Sequence, residues 1–219
     1  MTGRHPLPAV PDFVQTLSEW GIGDRVQVVA YDDAGGAMAA ARLWWMLRWL
    51  GLMEAAVLNG GWQRWQAGSL PVRTGVEKRP PRSFRARIRP ELVVDTVDIE
   101  VARHDRGMRI LDVRSAERYR GEDEPIDPVA GHIPGAISAP YLENLGADGS
   151  FIPPAALRTR FLALLGETPA GRAVFYCGSG VTAAQSVLAL AHAGLGEAKL
   201  YAGSWSEWIT DPDRPVATW

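Results

Sequence analysis

The sequence predicts an α/β protein: a parallel sheet flanked by helices, built as a tandem repeat with an incomplete first domain. Three observations lead there. Strand-like and helix-like runs alternate regularly along the chain, the pattern of a parallel sheet covered by helices. The two halves match each other at a nearly constant offset, the signature of a repeat. Between them lies a stretch with the composition of a linker.

In the first half, Val26-Gln27-Val28-Val29-Ala30-Tyr31 reads as a buried strand and Ala37 to Leu50 as a helix. Ala56-Val57-Leu58 is a short strand that ends at Gly60-Gly61. The second half follows the same order: strand Ala173 to Tyr176, helix Ala183 to Ala193, strand Lys199-Leu200-Tyr201, then Gly203. Tyr31-Asp32 matches Tyr176-Cys177 and Gly21 matches Gly166, both at an offset of 145 residues. After the helix the offset is 143: Gly51-Leu52 matches Gly194-Leu195, and Gly60-x-Trp62-x-x-Trp65 matches Gly203-x-Trp205-x-x-Trp208. These Trp pairs are expected in the core.

The linker runs from Pro71 to Pro90, with Pro80-Pro81 and seven Lys or Arg. Only Phe84 interrupts it with an aromatic ring, so a solvated connection is favoured over a nucleic-acid patch. The expected organisation is an incomplete, non-catalytic unit at 1–70, a linker at 71–90 and a catalytic unit at 91–219. The second unit also holds Leu92-Val93-Val94, Arg109 to Arg114 and Gly131-His132-Ile133-Pro134-Gly135-Ala136, for which the first has no counterpart. A sheet without those strands leaves an edge open. Self-association, or a chain shortened at its start, is therefore expected.

Composition narrows the functional classes. A net charge of −2 argues against binding to nucleic acid or to an anionic membrane. One Cys among 219 residues excludes an internal disulfide and points to a reducing, cytoplasmic setting. His5, His104, His132 and His192 are scattered without metal-ligand spacing. The most apolar run, Ala37 to Leu52, contains Arg42 and Arg48 and is shorter than the ~20 residues a membrane span needs. It reads as a core helix.

The chemistry gathers at Tyr176-Cys177-Gly178-Ser179-Gly180-Val181-Thr182-Ala183-Ala184, between a strand and a helix. Gly178 and Gly180 permit turns that aim successive backbone N–H groups inward, and the helix that follows adds the positive end of its dipole. Both favour a thiolate at Cys177. The amides from Gly178 through Gly180 and Val181 to Thr182 form a ring that would hold a persulfide or an attacking anion. Ser179 and Thr182 add hydroxyls. An inert buried Cys is the plain alternative. A Cys-dependent phosphatase would need an Arg six residues after the Cys to fork onto the phosphoryl oxygens. That position is Ala183, and no cationic side chain lies between Gly178 and Ala189. A short loop without Arg suits a small sulfur-bearing substrate.

This loop resembles the active-site loop of two-domain rhodanese-type sulfurtransferases, in the 3-mercaptopyruvate branch. Leu111-Asp112-Val113-Arg114, Arg118-Tyr119-Arg120-Gly121, Gly131 to Ala136 and Gly203-Ser204-Trp205-Ser206-Glu207-Trp208 carry the same resemblance. It implies a rhodanese-like fold and an enzyme in which Cys177 takes the outer sulfur of a donor as a persulfide, then passes it to a thiol or cyanide. It implies no metal or organic cofactor. Ser179 is similar to a loop serine that polarises the donor, Arg118 to an Arg that binds its carboxylate, and His5 to a His that the first unit lends to the pocket. Asp32 stands where the first unit has no Cys. The branch carries a second Arg nine residues after the first, and Asp127 occupies that place here, which leaves thiosulfate and 3-mercaptopyruvate both open as donors. Asp112 and Arg114 are expected to fix a strand end, and His132 a turn. The alternative of another class is a non-catalytic rhodanese-like binding module.

Overall fold

A computed structural model of the chain describes residues 2–219. The first unit runs α1 (Val10–Glu19), β1 (Val28–Ala30), α2 (Ala39–Trp49), β2 (Ala55–Val57), α3 (Gly61–Ala67). The second begins with β3 (Val93–Val94), α4 (Thr96–Ala102), β4 (Arg109–Asp112), α5 (Ala116–Arg120) and β5 (Ile137–Ser138). It continues with α6 (Pro154–Leu165), β6 (Ala173–Tyr176), α7 (Val181–His192), β7 (Lys199–Tyr201) and α8 (Ser204–Trp208).

Every strand pairing is parallel. β1 and β2 form a sheet of two, and the second sheet has the order β3-β7-β6-β4-β5. The order of elements α1-β1-α2-β2-α3 recurs as α6-β6-α7-β7-α8, so the repeat read from Gly and Trp spacing is a repeat of structure. β6 and β7 have the expected bounds. β1 is shorter than the expected Val26–Tyr31 because only β2 bonds to it, whereas β6 lies between β4 and β7. Tyr31, the counterpart of the fully buried Tyr176, is consequently 60% exposed.

The same difference corrects the expectation for the tryptophans. Trp205 and Trp208 are buried, but Trp62 and Trp65 are half-buried and line an open groove with Tyr31, Val29 and Val72. In the second unit the Trp205 indole donates to the Val129 carbonyl, in a segment for which the first unit has no equivalent.

The two units share one core. Trp45 and Leu47 of α2, with Leu50 at its end, join Ala183, Val187 and Leu190 of α7 in a single apolar cluster. Each buried aliphatic side chain of this kind contributes about 1.5–3 kcal/mol over its exposed state. Residues 71–89 form neither helix nor strand. They follow the first unit as the Arg82, Arg87 and Arg89 amides donate to the Ser18, Leu50 and Trp49 carbonyls. Phe84 is the buried anchor of this stretch. Among the described residues, no helix is long and apolar enough to cross a membrane.

One ion cluster ties linker, α2 and second sheet together. Glu197 lies 2.6 Å from Arg48 and 2.6 Å from Arg89. Burial opposes ionisation of Glu197, but hydrogen bonds from Arg89 and Arg48 outweigh it and hold the carboxyl below its ordinary range. A depressed carboxyl stabilises the fold above its unfolded pKa, and that contribution fades as pH falls through the folded value. Glu197→Gln is expected to cost about 1–2 kcal/mol near neutral pH. Thermal unfolding from pH 7 down to pH 3 should show the gap to the parent narrowing below about pH 4.5.

Candidate active site

Cys177 is the first residue beyond β6, at the C-terminal edge of the parallel sheet, where ligands of open α/β sheets collect. It is 3% exposed. The Ser179 and Gly180 amides lie 3.4 and 3.1 Å from its Sγ. They point inward because the carbonyls of the turn are engaged elsewhere. The Trp205 and Ser206 amides at the start of α8 donate to the Cys177 and Gly178 carbonyls at 3.0 and 2.9 Å. Gly180 has φ +77°, and a side chain there would collide with the Ala202 carbonyl and the Arg42 guanidinium. Backbone amides focused on one atom stabilise negative charge on it.

Ser204 braces the turn from below. It is fully buried with φ +56°, a conformation costing a non-glycine residue about 1–3 kcal/mol. Its hydroxyl donates to the Tyr201 carbonyl at 2.8 Å and accepts from the Cys177 amide at 3.2 Å. These bonds hold the strained residue and fix where Cys177 begins.

Of the ring of amides expected from Gly178 to Thr182, those of Ser179 and Gly180 bond the thiol. Val181 and Thr182 open α7, and neither bonds Sγ. Gly178 forms the outer wall: a Cβ built on it would lie 3.0 Å from Arg4 Nη2 and 3.5 Å from Arg118 Nη2. Two guanidinium groups therefore converge over the face of the turn. Arg118 also meets Glu124 at 2.8 Å and Asp127 at 2.9 Å, and Arg4 pairs with Asp127. Arg118 thus reaches both the acidic segment and the Cys turn. Glu124 is desolvated, but bonds from Arg118 and from the Asp127 and Ile126 amides prevail and keep its carboxyl below the usual range.

The first unit contributes more than was legible. His5 Nδ1 lies 2.8 Å from the Ser179 hydroxyl, which brings two sequence-predicted residues together. Beside it, Arg4 takes up Asp127, the residue that departs from the expected second Arg. From α2, Arg42 donates to the Gly180 and His5 carbonyls at 2.6 and 2.9 Å. Arg4 and Arg42 were not foreseen at the site. The acidic run Glu122-Asp123-Glu124 offered a partner for Arg118, and Glu124 takes it, while Asp127 was noted only as the departure from a second Arg. An Arg inside an otherwise apolar helix was the signal available for Arg42, since a buried guanidinium requires a compensating group.

His132 and the Asp112–Arg114 pair take structural places. His132 Nδ1 lies 2.7 Å from the Tyr119 carbonyl, its ring stacks on Tyr119, and burial lowers its pKa. Arg114 grips Asp112 at the end of β4, reaches Glu124 and the Gly131 carbonyl, and sits 4.7 Å over the Trp205 ring. Tyr141 is another neighbour of the thiol: burial raises its phenol and negative charge at Cys177 adds to the effect.

The turn after β1 shows what such a loop does when no thiol is present. Asp32, at the position of Cys177, accepts from the amides of Ala34, Gly36, Met38 and Ala40 at 2.7–3.1 Å. The Trp62 amide donates to its carbonyl, as Trp205 does to that of Cys177. In both copies the turn aims backbone amides at the side chain that follows the strand.

Residues 2–68 and 97–211 match the Rhodanese-like domain. A probable 3-mercaptopyruvate sulfurtransferase of Pseudomonas aeruginosa is 48% identical over the whole chain and 77% of its own length. A putative thiosulfate sulfurtransferase of Mycobacterium tuberculosis is 41% identical over 98% of the chain and 75% of its own. The solved 3-mercaptopyruvate sulfurtransferase of Leishmania major superposes with a TM-score of 0.82 at 33% identity, covering 97% of this chain and 59% of that one. The chain thus spans about three-quarters of these curated relatives and little more than half of the solved one. It belongs to the rhodanese family of 3-mercaptopyruvate and thiosulfate sulfurtransferases.

Proposed function

We propose that Cys177 carries a sulfane sulfur from an anionic donor, thiosulfate or 3-mercaptopyruvate, to a thiol or cyanide. The observation that carries this reading is the pair of amides aimed at Sγ from a turn whose own carbonyls are tied to α8. The thiolate attacks the outer sulfur of the donor. With thiosulfate the S–S bond breaks and sulfite leaves with its electron pair. With 3-mercaptopyruvate the C–S bond breaks and the pyruvate enolate leaves, taking a proton to become pyruvate. The His5–Ser179 couple lies beside the thiol to supply that proton. Cyanide or a thiolate then attacks the outer sulfur, the persulfide S–S bond breaks, and the thiolate of Cys177 returns. Ser179 and Cys177 are the catalytic residues in this reading. The turn from Gly178 through Gly180, Val181 and Thr182 accommodates the transferred sulfur.

Arg118 and Arg4 converge over Gly178, where the anionic end of either donor would lie. Arg118→Ala is expected to raise KM about tenfold for both donors and to change kcat less, the pattern of lost ground-state binding. Initial rates of thiocyanate formation against donor concentration check this.

In the same reading residues 91–219 house the chemistry, residues 1–70 support it, and 71–90 join them. A single thiol fits a reducing, cytoplasmic setting. Self-association would use the open edge of β1, where Val29 and Tyr31 are exposed, and sedimentation reads it out directly. Incubation with each donor followed by intact-mass measurement tests the whole proposal. A gain of one sulfur atom that cyanide removes is the expected result. No gain with either donor leaves the non-catalytic binding module.

A further inference from the structure

Arg42 is 8% exposed and lies on α2 of the first unit, against the Cys177 turn of the second. Two of its N–H groups donate to backbone carbonyls, those of Gly180 and His5. Both acceptors are neutral. No carboxylate pairs with it among the described residues: the one charge that favours its protonated form is that of Cys177, and burial works against it. A guanidinium stays protonated in a protein, and a buried charge without a counter-charge costs several kcal/mol. The other cations near the turn are already compensated, Arg118 by Glu124 and Asp127 and Arg4 by Asp127. His5 engages the Ser179 hydroxyl, and Tyr141 is an acid whose ionisation Cys177 opposes.

We propose that Arg42 is the counter-ion of the active-site sulfur, a positioning residue that the first unit lends to the second. It seats the Gly180 carbonyl at 2.6 Å, and the amide of that same residue faces Sγ at 3.1 Å. One contact therefore places a positive charge on the residue whose amide faces Sγ. The compensation serves the thiolate and, one S–S bond of about 2 Å further out, the persulfide monoanion; that extension to the persulfide rests on the sulfur-transfer reading above. It also gives the first unit a task in the reaction without a nucleophile of its own. The repeat offers a parallel: in the turn after β1 an aspartate, Asp32, fills the place of Cys177.

The test uses alkylation of Cys177, so it does not depend on any donor being the right one. Iodoacetate carries a negative charge and iodoacetamide carries none. Removing a positive charge near the sulfur slows the anion selectively, whereas a merely loosened turn changes both rates together. In Arg42→Met the iodoacetate-to-iodoacetamide rate ratio is expected to fall about tenfold, and Arg42→Lys should restore most of it. A folded Arg42→Met with an unchanged ratio would overturn the proposal, even where sulfur transfer itself is intact. Should Arg42→Met not fold, Cys177→Asp and Cys177→Ser decide with Arg42 in place. A carboxylate that meets a waiting cation should melt higher than the serine variant, and a lower midpoint for the aspartate variant sinks the idea.

Discussion

Cys177→Ser is expected to end sulfur transfer, with loss of at least about a thousandfold in thiocyanate formation and no sulfur gained in the intact mass. The hydroxyl is the same shape and sits in the same turn, so the amides of Ser179 and Gly180 can bond its oxygen as they bond Sγ. What it lacks is the soft, readily ionised nucleophile. The turn is held from outside by the bonds of the Trp205 and Ser206 amides and by Ser204, none of which needs the sulfur. Circular dichroism of the variant should therefore match the parent while activity vanishes. Activity within tenfold of the parent would remove Cys177 from the reaction.

The largest expected loss of stability follows from Arg114→Leu. Side chains of Arg114 and Asp112 are 1% and 0% exposed, and Glu124 close by is 4% exposed. Removing the guanidinium leaves the fully buried Asp112 carboxylate without its counter-charge, while Glu124 keeps Arg118; an uncompensated buried charge costs about 3–5 kcal/mol. It also strips the Gly131 carbonyl of its donor and the Trp205 ring of its cation. For a chain of this size the melting midpoint should drop by about 10 °C. Adding Asp112→Asn should recover part of the loss, because the two residues act as one unit. Thermal unfolding of the single and double variants measures both effects. A fall of less than about 2 °C in the single variant would mean that the pair is idle.

The order of elements was legible because strand runs such as Ala173 to Tyr176 are apolar on both faces, as a strand between two parallel neighbours must be. Spacing of Gly and Trp exposed the repeat, since those residues mark turns and packing points that both copies need. The Cys turn followed from local chemistry, whereas Arg118 was named only through the family resemblance. What escaped was distant in sequence. Arg42 and Cys177 belong to different units, and nothing in either segment names the other. Arg4 gains its role from Asp127, far along the chain, while the acid in place of the expected Arg looked like a simple loss. Trp62 and Trp65 share their spacing with Trp205 and Trp208, yet burial depends on what lies across the groove, and spacing does not encode that.

The carboxylate of Asp32, seated on four amides, has a quantitative consequence. That turn is plugged by its own chain, so a donor finds no vacancy there. Sulfur loading should saturate at one equivalent per polypeptide, although the architecture is present twice. Duplication here kept two sockets and left one of them permanently filled.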